Sequence, residues 1–378
     1  MIPGDIGREL GLRASGTWRP APGGGPGTYA TSLPFRLAER TGEGPAELAA
    51  RLAERLRRAD WISDVSVTGG GYLTVTVTER ALVGLAVRIP AAGAGCAASD
   101  ALCGTEISAP ADGDADLAGA GDWAQARRLV SGAVTGRLAG AAGAAVRIHR
   151  EGPGFPGGGG GAAVRIQPAG PSRPRGGAAP ASAVAFAGAD AIRYQLARTR
   201  PTGHGDPVDA SRGVRSEFSN PFFAVRYAHA HAASVLRWAA DLGAERGDPG
   251  DLRPRWLAHP AERALLGLMS WMPERAVSSA RRARPDAWAR YLDSVAGAWL
   301  DCAESRPALA FGGRSAPRDG AETAARLWLA AAAGTVLRTG LGLLGVAAPG
   351  SISQLDGQLD DQLDGQVDGP HPTSKEAR

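Results

Sequence analysis

The sequence predicts an α+β chain, with a small mixed domain at the N-terminus and an all-α bundle at the C-terminus. Residues 64–68 and 72–78 are rich in β-branched residues and flank a triple glycine, a pattern typical of a β-hairpin. Residues 189–346 instead repeat apolar residues at steps of three and four, which predicts helices. Between these regions, residues 151–182 contain runs of glycine and proline that favour a flexible linker.

At 378 residues, the chain is long enough for two or three domains with substantial cores. Its patterns divide it into four expected segments, of which the second and fourth are expected to be poorly ordered. These are a small α+β domain at 1–88, a Gly/Ala/Pro-rich connector with a short helical segment at 89–186, a helical bundle at 187–350 and a disordered acidic tail at 351–378.

The first segment is expected to contain two helices before its hairpin. Residues 34–58 form two helix-like pieces with a break at 41–44, and Pro45 suits the first turn of the second piece. Leucines recur every four residues in that second piece and predict one apolar stripe, made of Leu48, Leu52 and Leu56.

The connector shows little periodicity. Residues 89–122 are rich in Ala, Gly and Asp without a repeating apolar pattern, whereas residues 123–138 favour a helix and 146–149 a short strand. The linker that follows contains arginines compatible with RNA contact, although a plain solvated linker is the simpler interpretation of Arg165, Arg173 and Arg175.

The third segment predicts helices joined by short loops, and therefore an antiparallel bundle. A long helix is expected at 220–242, where Pro221 falls in the first turn and Gly243 follows the end. The other expected helices lie at 191–198, 259–281, 285–304 and 321–345.

The charge distribution favours an anionic partner. Of 42 Lys and Arg residues only Lys375 is a lysine, which codon bias explains and which is also compatible with phosphate contact by arginine. The net charge is +4, but residues 350–378 contain six acids and two bases, so residues 1–349 carry +8.

No cofactor, metal or membrane is predicted. Cys96, Cys103 and Cys302 lack CxxC spacing, so neither a zinc site nor a disulfide framework is indicated. The first residues lack the apolar run of a signal peptide, and no charge-free apolar stretch reaches the length of a membrane span. The expectation is a cytoplasmic protein.

The tail repeats four tetrads of the type Gln-Leu-Asp-Gly over residues 354–369. This repeat is too short for a solenoid and too acidic to be buried, so we expect it to be disordered. A calcium site made by its aspartates and an acidic decoy that competes with RNA are alternative hypotheses for this segment.

The start of the long helix resembles a known signature. Residues 220–231, NPFFAVRYAHAH, are similar to N-P-x-[FY]-x-V-Q-Y-A-H-A-R, which opens the DALR-type anticodon-binding bundle of the arginyl-tRNA synthetase family. Arg226 stands where the family has Gln, and His231 where it has Arg. The resemblance implies that Arg226, Tyr227 and His231 contact tRNA, although Tyr227 is also a candidate core residue.

The hairpin region resembles the N-terminal additional domain of the same family, which recognises the outer corner of tRNA. The matching residues are 27–32, GTYATS, and 71–75, GYLTV. Tyr72 occupies the position of an aromatic residue on which a base stacks. Thr74 and Ser32 replace two asparagines, so the bidentate amide contact is absent and nucleotide specificity at that corner is open.

The end of the bundle carries a third resemblance. Residues 340–349, GLGLLGVAAP, are similar to the closing L-G-[IV]-x-x-P-x-x-M of the family. The terminal Met is absent, and Ile352 is its expected substitute in tRNA contact. Residues 191–194, AIRY, resemble the exit of the synthetase core.

The catalytic motifs of that family are absent from the sequence. None of the six histidines forms His-x-Gly-His, and the sole lysine lies in the tail, so no Lys-Met-Ser-Lys loop can form. About 100 residues separate the two matched regions, against roughly 200 for a Rossmann-type core. We therefore expect that the chain is not an enzyme.

Two arginine clusters are further candidates for tRNA contact. The loop at 244–256, where the family contacts the anticodon, offers arginines to phosphate and an indole for stacking, namely Arg246, Arg253, Arg255 and Trp256. The second cluster consists of Arg281, Arg282 and Arg284. A solvated charged surface explains the loop equally well. His229 and His231 are two apart on a helix and are expected to pack rather than to chelate a metal.

These observations predict a non-catalytic tRNA-binding protein derived from an arginyl-tRNA synthetase, which holds the tRNA corner and the anticodon arm through two modules on a flexible connector. The expected partner is arginine tRNA, by resemblance, and not DNA; a regulatory output is a hypothesis. The alternatives are a module that docks on a synthetase or another protein, and residual arginine–tRNA ligase activity.

Overall fold

The structure, a computed structural model, describes residues 2–11, 18–111, 113–149, 179–200, 207–309, 320–352 and 354–355. Its class is α+β as predicted, with strands in the first 149 residues and helices alone from residue 179 onward within the described ranges. Most of the expected linker, 151–178, and most of the expected acidic tail, 356–378, lie outside the described residues.

The N-terminal domain is built on a four-stranded antiparallel sheet with the order β1-β2-β4-β3. Its strands are β1 (Trp18–Pro20), β2 (Thr28–Thr31), β3 (Ile62–Thr68) and β4 (Tyr72–Val77). The predicted hairpin is therefore confirmed as β3–β4. All three turn glycines have positive φ, and a Cβ on Gly71 would lie 2.9 Å from Cβ of Pro45, so this turn requires glycine.

Three helices accompany this sheet, namely α1 (Ile2–Glu9), α2 (Leu33–Thr41) and α3 (Pro45–Leu56). The break predicted at 41–44 is confirmed, and Gly42 ends α2 in the left-handed region with a φ of 75°. Leu48 and Leu56 are buried on the predicted stripe of α3, and Leu52 is half-buried beside them.

The expectation of a poorly ordered middle is wrong for residues 89–149. After the sheet the chain continues through α4 (Glu79–Val83), α5 (Leu85–Ala92), β5 (Glu106–Pro110), α6 (Asp114–Ala118), α7 (Trp123–Ala141) and β6 (Ala145–His149). Strands β5 and β6 pair in parallel, with α7 as the crossover between them. The predicted helix at 123–138 and the predicted strand at 146–149 are both confirmed.

The richness of this region in small residues reflects close packing. A Cβ on Gly132 would lie 2.7 Å from Cδ of Pro110, and one on Gly136 would lie 2.4 Å from Cβ of Ala109. Because α7 approaches β5 so closely, it needs glycine at both positions, and its apolar residues do not form the single stripe of a surface helix.

The C-terminal part is a helical bundle. Its helices are α8 (Pro180–Ala187), α9 (Ala189–Arg198), α10 (Ala210–Gly213), α11 (Pro221–Asp241), α12 (Pro260–Met269), α13 (Met272–Arg281), α14 (Pro285–Ser305) and α15 (Gly320–Leu344). The single helix predicted at 259–281 is corrected to two, because Pro273 falls in the first turn of a new helix and cannot continue the preceding hydrogen-bond ladder.

The N-terminal domain packs directly on the bundle at the junction of α12 and α13. Tyr29 of β2 donates a hydrogen bond to Oγ of Ser270 at 2.9 Å, and its ring lies 5.1 Å from that of Trp271. Arg263 pairs with Glu79 at 3.1 Å. One continuous apolar core runs through both parts. The prediction of two modules on a flexible connector is therefore corrected to two surfaces on one packed body.

Among the residues that the structure describes, two stretches are long and apolar enough to cross a membrane by length and composition alone, namely Glu79–Ala97 and Gly320–Leu344. In their most apolar windows, 39% and 67% of the residues are buried inside the fold. The second stretch is α15, which packs against α11 and α14 in the bundle. The expectation that no membrane is involved stays a prediction.

Candidate nucleic-acid interface

The start of α11 is fixed by its cap. Oδ1 of Asn220 accepts a hydrogen bond from the Phe222 amide at 3.1 Å, and its Nδ2 donates to the Arg215 carbonyl at 2.8 Å. Pro221 occupies the first turn, where its missing N–H is not needed. This local structure sets the orientation of the side chains that follow at helical spacing.

Four aromatic residues form a continuous row along α11, which we call the aromatic ladder: Phe218, Phe223, Tyr227 and His231. Tyr227 lies 5.7 Å from Phe223 and 6.1 Å from His231, both nearly parallel, and Phe218 meets Tyr227 edge-on at 5.0 Å. Phe218 is 60% exposed. The ladder therefore presents aromatic surface to solvent at Phe218. Such exposure is unusual for a large apolar side chain.

Phe218, Tyr227 and His231 of the ladder line one wall of a cleft of about 600 Å³, and α14 lines the other. Three carboxylates line the α14 side, namely Asp293, Asp301 and Glu304. Asp293 accepts hydrogen bonds from the Tyr194 hydroxyl and from Nε of Arg198, whereas Asp301 and Glu304 are exposed. An aromatic wall beside exposed carboxylates suits a nucleobase, whose amino groups donate, and repels a phosphate.

The two histidines of the signature have different environments. His229 is buried, and its Nδ1 lies 2.8 Å from the Pro349 carbonyl oxygen, which fixes the end of the chain on α11. His231 packs against Trp299 at 5.8 Å, and its Nδ1 is buried with no hydrogen-bond partner. Burial lowers the pKa of both rings. Within the described ranges, no group of His, Cys, Asp and Glu could hold a metal ion.

Arg226 is placed inward, which corrects its assignment as a tRNA contact. Its side chain is 8% exposed, and its guanidinium carbon lies 5.0 Å from the ring centroid of Phe222. Burial lowers its pKa, and Asp190 acts in the opposite direction. In this position Arg226 stabilises the packing of α11 rather than meeting a phosphate.

The loop at 244–256 brings basic and aromatic side chains together. The guanidinium of Arg246 lies 4.6 Å from the ring centroid of Trp328, and that of Arg255 lies 4.5 Å from the ring of Trp256. Arg246, Arg253 and Arg255 are exposed. Trp256 is half-buried against the core under Arg255, so it serves as a platform for that arginine and less as one for a base.

Arg253 is held within its own loop. It donates a hydrogen bond to the carbonyl oxygen of Gly250 and lies 4.0 Å from a carboxylate oxygen of Asp251. Both contacts are exposed and local, so they leave the guanidinium accessible to a stronger anionic partner.

The second arginine cluster divides into two kinds of residue. Arg281 and Arg282 are exposed at the end of α13, and Arg281 also donates to the Ala101 carbonyl at 3.2 Å. Arg284 instead forms two hydrogen bonds, of 2.6 and 2.7 Å, to the buried carboxylate of Asp286. This contact holds the pKa of Asp286 below its usual range. Arg284 therefore fixes the start of α14, and its assignment as a tRNA contact stays a prediction.

On the N-terminal sheet, Tyr72 and Thr74 lie on the same outward face of β4, because side chains alternate along a strand. Tyr72 is 43% exposed, packs beside Phe35 at 4.9 Å, and has the Arg19 guanidinium 5.8 Å from its ring centroid. The ring is thus supported on one side and open for stacking. Ile352 is half-buried, and its carbonyl accepts from the Leu355 amide at 2.9 Å.

Sequence reasoning missed Phe218, Asp301, Glu304 and Arg19. Phe218 precedes the helix cap, so helical periodicity could not assign it to the ladder. The acids of α14 do carry a signal, since Asp293, Asp301 and Glu304 recur at helical steps on one face. Nothing in the sequence places that face opposite the ladder.

Two regions of the chain match known families. Residues 21–77 match the arginyl tRNA synthetase N terminal domain, and residues 225–352 match the DALR anticodon binding domain. The first contains Tyr72 and β4, and the second contains Tyr227 and His231 of the aromatic ladder and both arginine clusters.

Curated relatives match less than half of the chain. The arginine–tRNA ligase of Clavibacter sepedonicus is 37% identical over 169 residues, which are 43% of this chain and 28% of that protein. The arginine–tRNA ligase of Frankia alni is 38% identical over 163 residues, again 43% of this chain and 28% of that protein. The matched part thus spans less than a third of the length of these relatives.

The fold is similar to that of the Thermus thermophilus arginyl-tRNA synthetase, with a TM-score of 0.61 and 15% sequence identity over 92% of this chain and 98% of that chain. At this identity the likeness concerns the fold alone. The chain therefore combines a region that matches the arginyl tRNA synthetase N terminal domain with a region that matches the DALR anticodon binding domain.

Proposed function

We propose that this chain is a non-catalytic tRNA-binding protein that contacts the anticodon arm with its bundle and the tRNA corner with its N-terminal sheet. The observation that carries the proposal is the aromatic ladder, exposed at Phe218 and half-buried along α11, beside the exposed carboxylates of Asp301 and Glu304. Aromatic faces stack on unpaired bases, and carboxylates accept hydrogen bonds from base amino groups. An anticodon loop presents unpaired bases of this kind.

The proposal divides the contacts between two chemistries. The ladder and Tyr72 stack on bases, while exposed arginines meet phosphates, namely Arg246, Arg253, Arg255, Arg281 and Arg282. Because the N-terminal sheet packs on α12 through Tyr29 and Ser270, both surfaces are held in a fixed relative position. Affinity then arises from a preorganised surface rather than from a flexible tether.

The sequence supports the non-catalytic part of the proposal. It contains neither His-x-Gly-His nor a Lys-Met-Ser-Lys loop, which place donors and positive charge where the reaction develops negative charge. Among the described residues, the two-stranded parallel sheet of β5 and β6 is the only parallel unit. A doubly wound nucleotide-binding core has several more strands.

Two measurements test the proposal. The first is binding of an arginine tRNA transcript to the full chain over a range of salt concentrations. We expect the logarithm of the binding constant to fall with the logarithm of salt by roughly 0.7–0.9 per phosphate contacted. The absence of salt-dependent binding would overturn the tRNA proposal. Crosslinking in cells followed by sequencing of the attached RNA then identifies which tRNA is bound.

The second measurement is arginine-dependent exchange between ATP and pyrophosphate, with an authentic arginine–tRNA ligase as the positive control. We expect no exchange above background with the full chain. Turnover in this assay would overturn the non-catalytic part while leaving the tRNA contacts in place.

One observation favours a second candidate, a protein-interaction module. Trp238 and Leu242 lie one turn apart at the end of α11 and are 38% and 65% exposed. An exposed apolar pair of this kind suits a protein partner. Binding to a synthetase that is insensitive to salt, together with no binding to tRNA, would favour this candidate over the first.

A further inference from the structure

A groove in the N-terminal domain carries positive charge that the proposed tRNA surfaces do not use. It lies between α1, the end of α3 and the α4–α5 segment, and it has a volume of about 580 Å³. Four arginines form its rim, namely Arg8, Arg55, Arg80 and Arg88. Asp5 and Glu9 also line it, so the basic residues outnumber the acids by two to one.

The ion pairs leave much of this charge available. Asp5 accepts from Arg88 at 2.6 Å and also from Arg8, so one carboxylate serves two guanidinium groups. Arg55 and Arg80 are exposed and have no acidic partner among the described residues. Exposed arginines without a carboxylate can turn their planar forks toward an incoming phosphate.

The floor of the groove is apolar and includes an indole. Trp61 is half-buried against the core and lines the groove together with Ile2, Ala81 and Gly84. Its carbonyl accepts from the Thr78 amide at 2.9 Å, which fixes its position at the end of the sheet. A flat aromatic surface below a rim of guanidinium groups suits a ligand with both a base and a phosphate.

This groove is separate from the other contacts. Tyr72 begins β4 and Arg80 follows its far end, and a strand of this length spans about 17 Å at the usual rise. The aromatic ladder belongs to the bundle. The groove therefore shares no lining residue with the cleft beside the aromatic ladder.

We propose that this groove binds one or two consecutive nucleotides of an RNA strand, with phosphates on Arg55 and Arg80 and a base on Trp61. The proposal rests on the proposed function, because it adds a third contact to the same tRNA. It commits to RNA rather than to an acidic peptide, since a peptide carboxylate would use the rim but leave the indole unoccupied.

The test compares tRNA binding by Arg55→Glu/Arg80→Glu with that by Arg128→Glu/Arg338→Glu. The control pair is exposed, lies on α7 and α15, and undergoes the same change in charge. We expect the tRNA affinity of the groove variant to be at least about tenfold lower. The slope of its binding constant against salt, both as logarithms, is expected to correspond to roughly two fewer phosphate contacts. The control is expected to retain both, and equal melting temperatures of the variants exclude misfolding. A milder variant, Arg55→Gln/Arg80→Gln, replaces the first if it fails to fold.

A crosslink tests the stacked base. RNA carrying 5-iodouridine is expected to form an adduct on the peptide that contains Trp61, and the groove variant is expected to lose it. If poly-glutamate displaces the RNA from this groove as well as unlabelled RNA does, and no adduct forms on Trp61, the groove is a general anionic-polymer surface and the proposal is wrong.

The outcomes separate this proposal from the proposed function. If the wild-type chain binds tRNA and both double variants bind it equally well, the groove proposal fails and the tRNA proposal stands. If the wild-type chain does not bind tRNA, a heptauridylate is used as the probe. If the wild-type chain binds this probe and Arg55→Glu/Arg80→Glu does not, the groove proposal alone is supported. If the wild-type chain binds neither tRNA nor the probe, both proposals are overturned.

Discussion

The hydroxyl of Tyr29 donates a hydrogen bond of 2.9 Å to Oγ of Ser270, 241 residues further along the chain. Both side chains are almost completely buried, and Oγ of Ser270 donates in turn to the Gly267 carbonyl at 2.6 Å. Burial raises the pKa of Tyr29 well above its usual range, so the hydroxyl stays protonated as a donor. This contact holds the N-terminal sheet on the bundle.

Replacing Tyr29 by Phe is expected to lower the free energy of unfolding by about 1 kcal/mol, because it removes a buried hydrogen bond while keeping the ring. Urea denaturation measures this change. Tyr72→Phe is the matched control, since its hydroxyl belongs to an exposed residue, and it is expected to change stability by less than about 0.5 kcal/mol. Equal losses in both variants would contradict a structural role of this contact.

The buried ion pair between Arg326 and Glu262 predicts a larger effect. Nε of Arg326 lies 3.0 Å from a carboxylate oxygen of Glu262, and the two side chains are 4% and 1% exposed. Arg326→Met leaves a buried carboxylate without its partner and is expected to cost about 3–5 kcal/mol. Arg306→Met, at a more exposed pair with Glu322, is expected to cost clearly less in the same denaturation experiment. If the two variants lost similar amounts of unfolding free energy, the buried pair would contribute no more to stability than the exposed one, contrary to this prediction.

Two glycine substitutions test whether the middle region is folded. Gly136→Ala places a methyl group 2.4 Å from Cβ of Ala109, so it is expected to lower the melting temperature by forcing α7 away from β5. Gly297→Ala in α14 has no neighbour within 4 Å and is expected to stabilise the protein by about 0.4–1 kcal/mol. If both substitutions were neutral or stabilising, the close packing of α7 would be wrong.

The aromatic ladder predicts a loss of tRNA affinity when its centre is removed. Tyr227→Ala is expected to weaken binding by about 1–3 kcal/mol, the usual contribution of one stacked base. Tyr227→Phe keeps the ring and is expected to bind tRNA nearly as well as the wild type. A filter-binding assay measures the tRNA affinity of both variants. Weak binding by the Phe variant would indicate that the hydroxyl, and not stacking, carries the contact.

The pH dependence of stability follows from the two histidines. Burial lowers the pKa of His229 and His231, so below the ordinary value of 6.5 the unfolded chain binds more protons than the folded one. The stability that each neutral ring contributes is complete above pH 6.5 and is lost as the pH falls through the lowered folded pKa. His231→Phe is expected to make the decline of the melting temperature below pH 6.5 shallower. An unchanged slope would show that His231 is not protected from protonation.

Local signals in the sequence determined much of this protein. The triple glycine and the period of two gave the β3–β4 hairpin, and the cap at Asn220 with Pro221 gave the start of α11. These features could be predicted because they depend on backbone conformation and on neighbours within a few residues. The resemblance to an arginyl-tRNA synthetase also came from contiguous residues, those of 220–231 above all.

Only the tertiary structure decided which side chains face solvent and which segments pack. Both Arg226 and Arg284 are arginines in matched regions of the sequence, yet Arg226 is buried against Phe222 and Arg284 is bound by the carboxylate of Asp286. The close packing of α7 on β5 is invisible to periodicity, because it depends on glycines that match a neighbouring strand. The carboxylates of α14 face the ladder only because the helices pack side by side. Each of these outcomes depends on contacts between residues far apart in the chain, and no local pattern encodes such contacts.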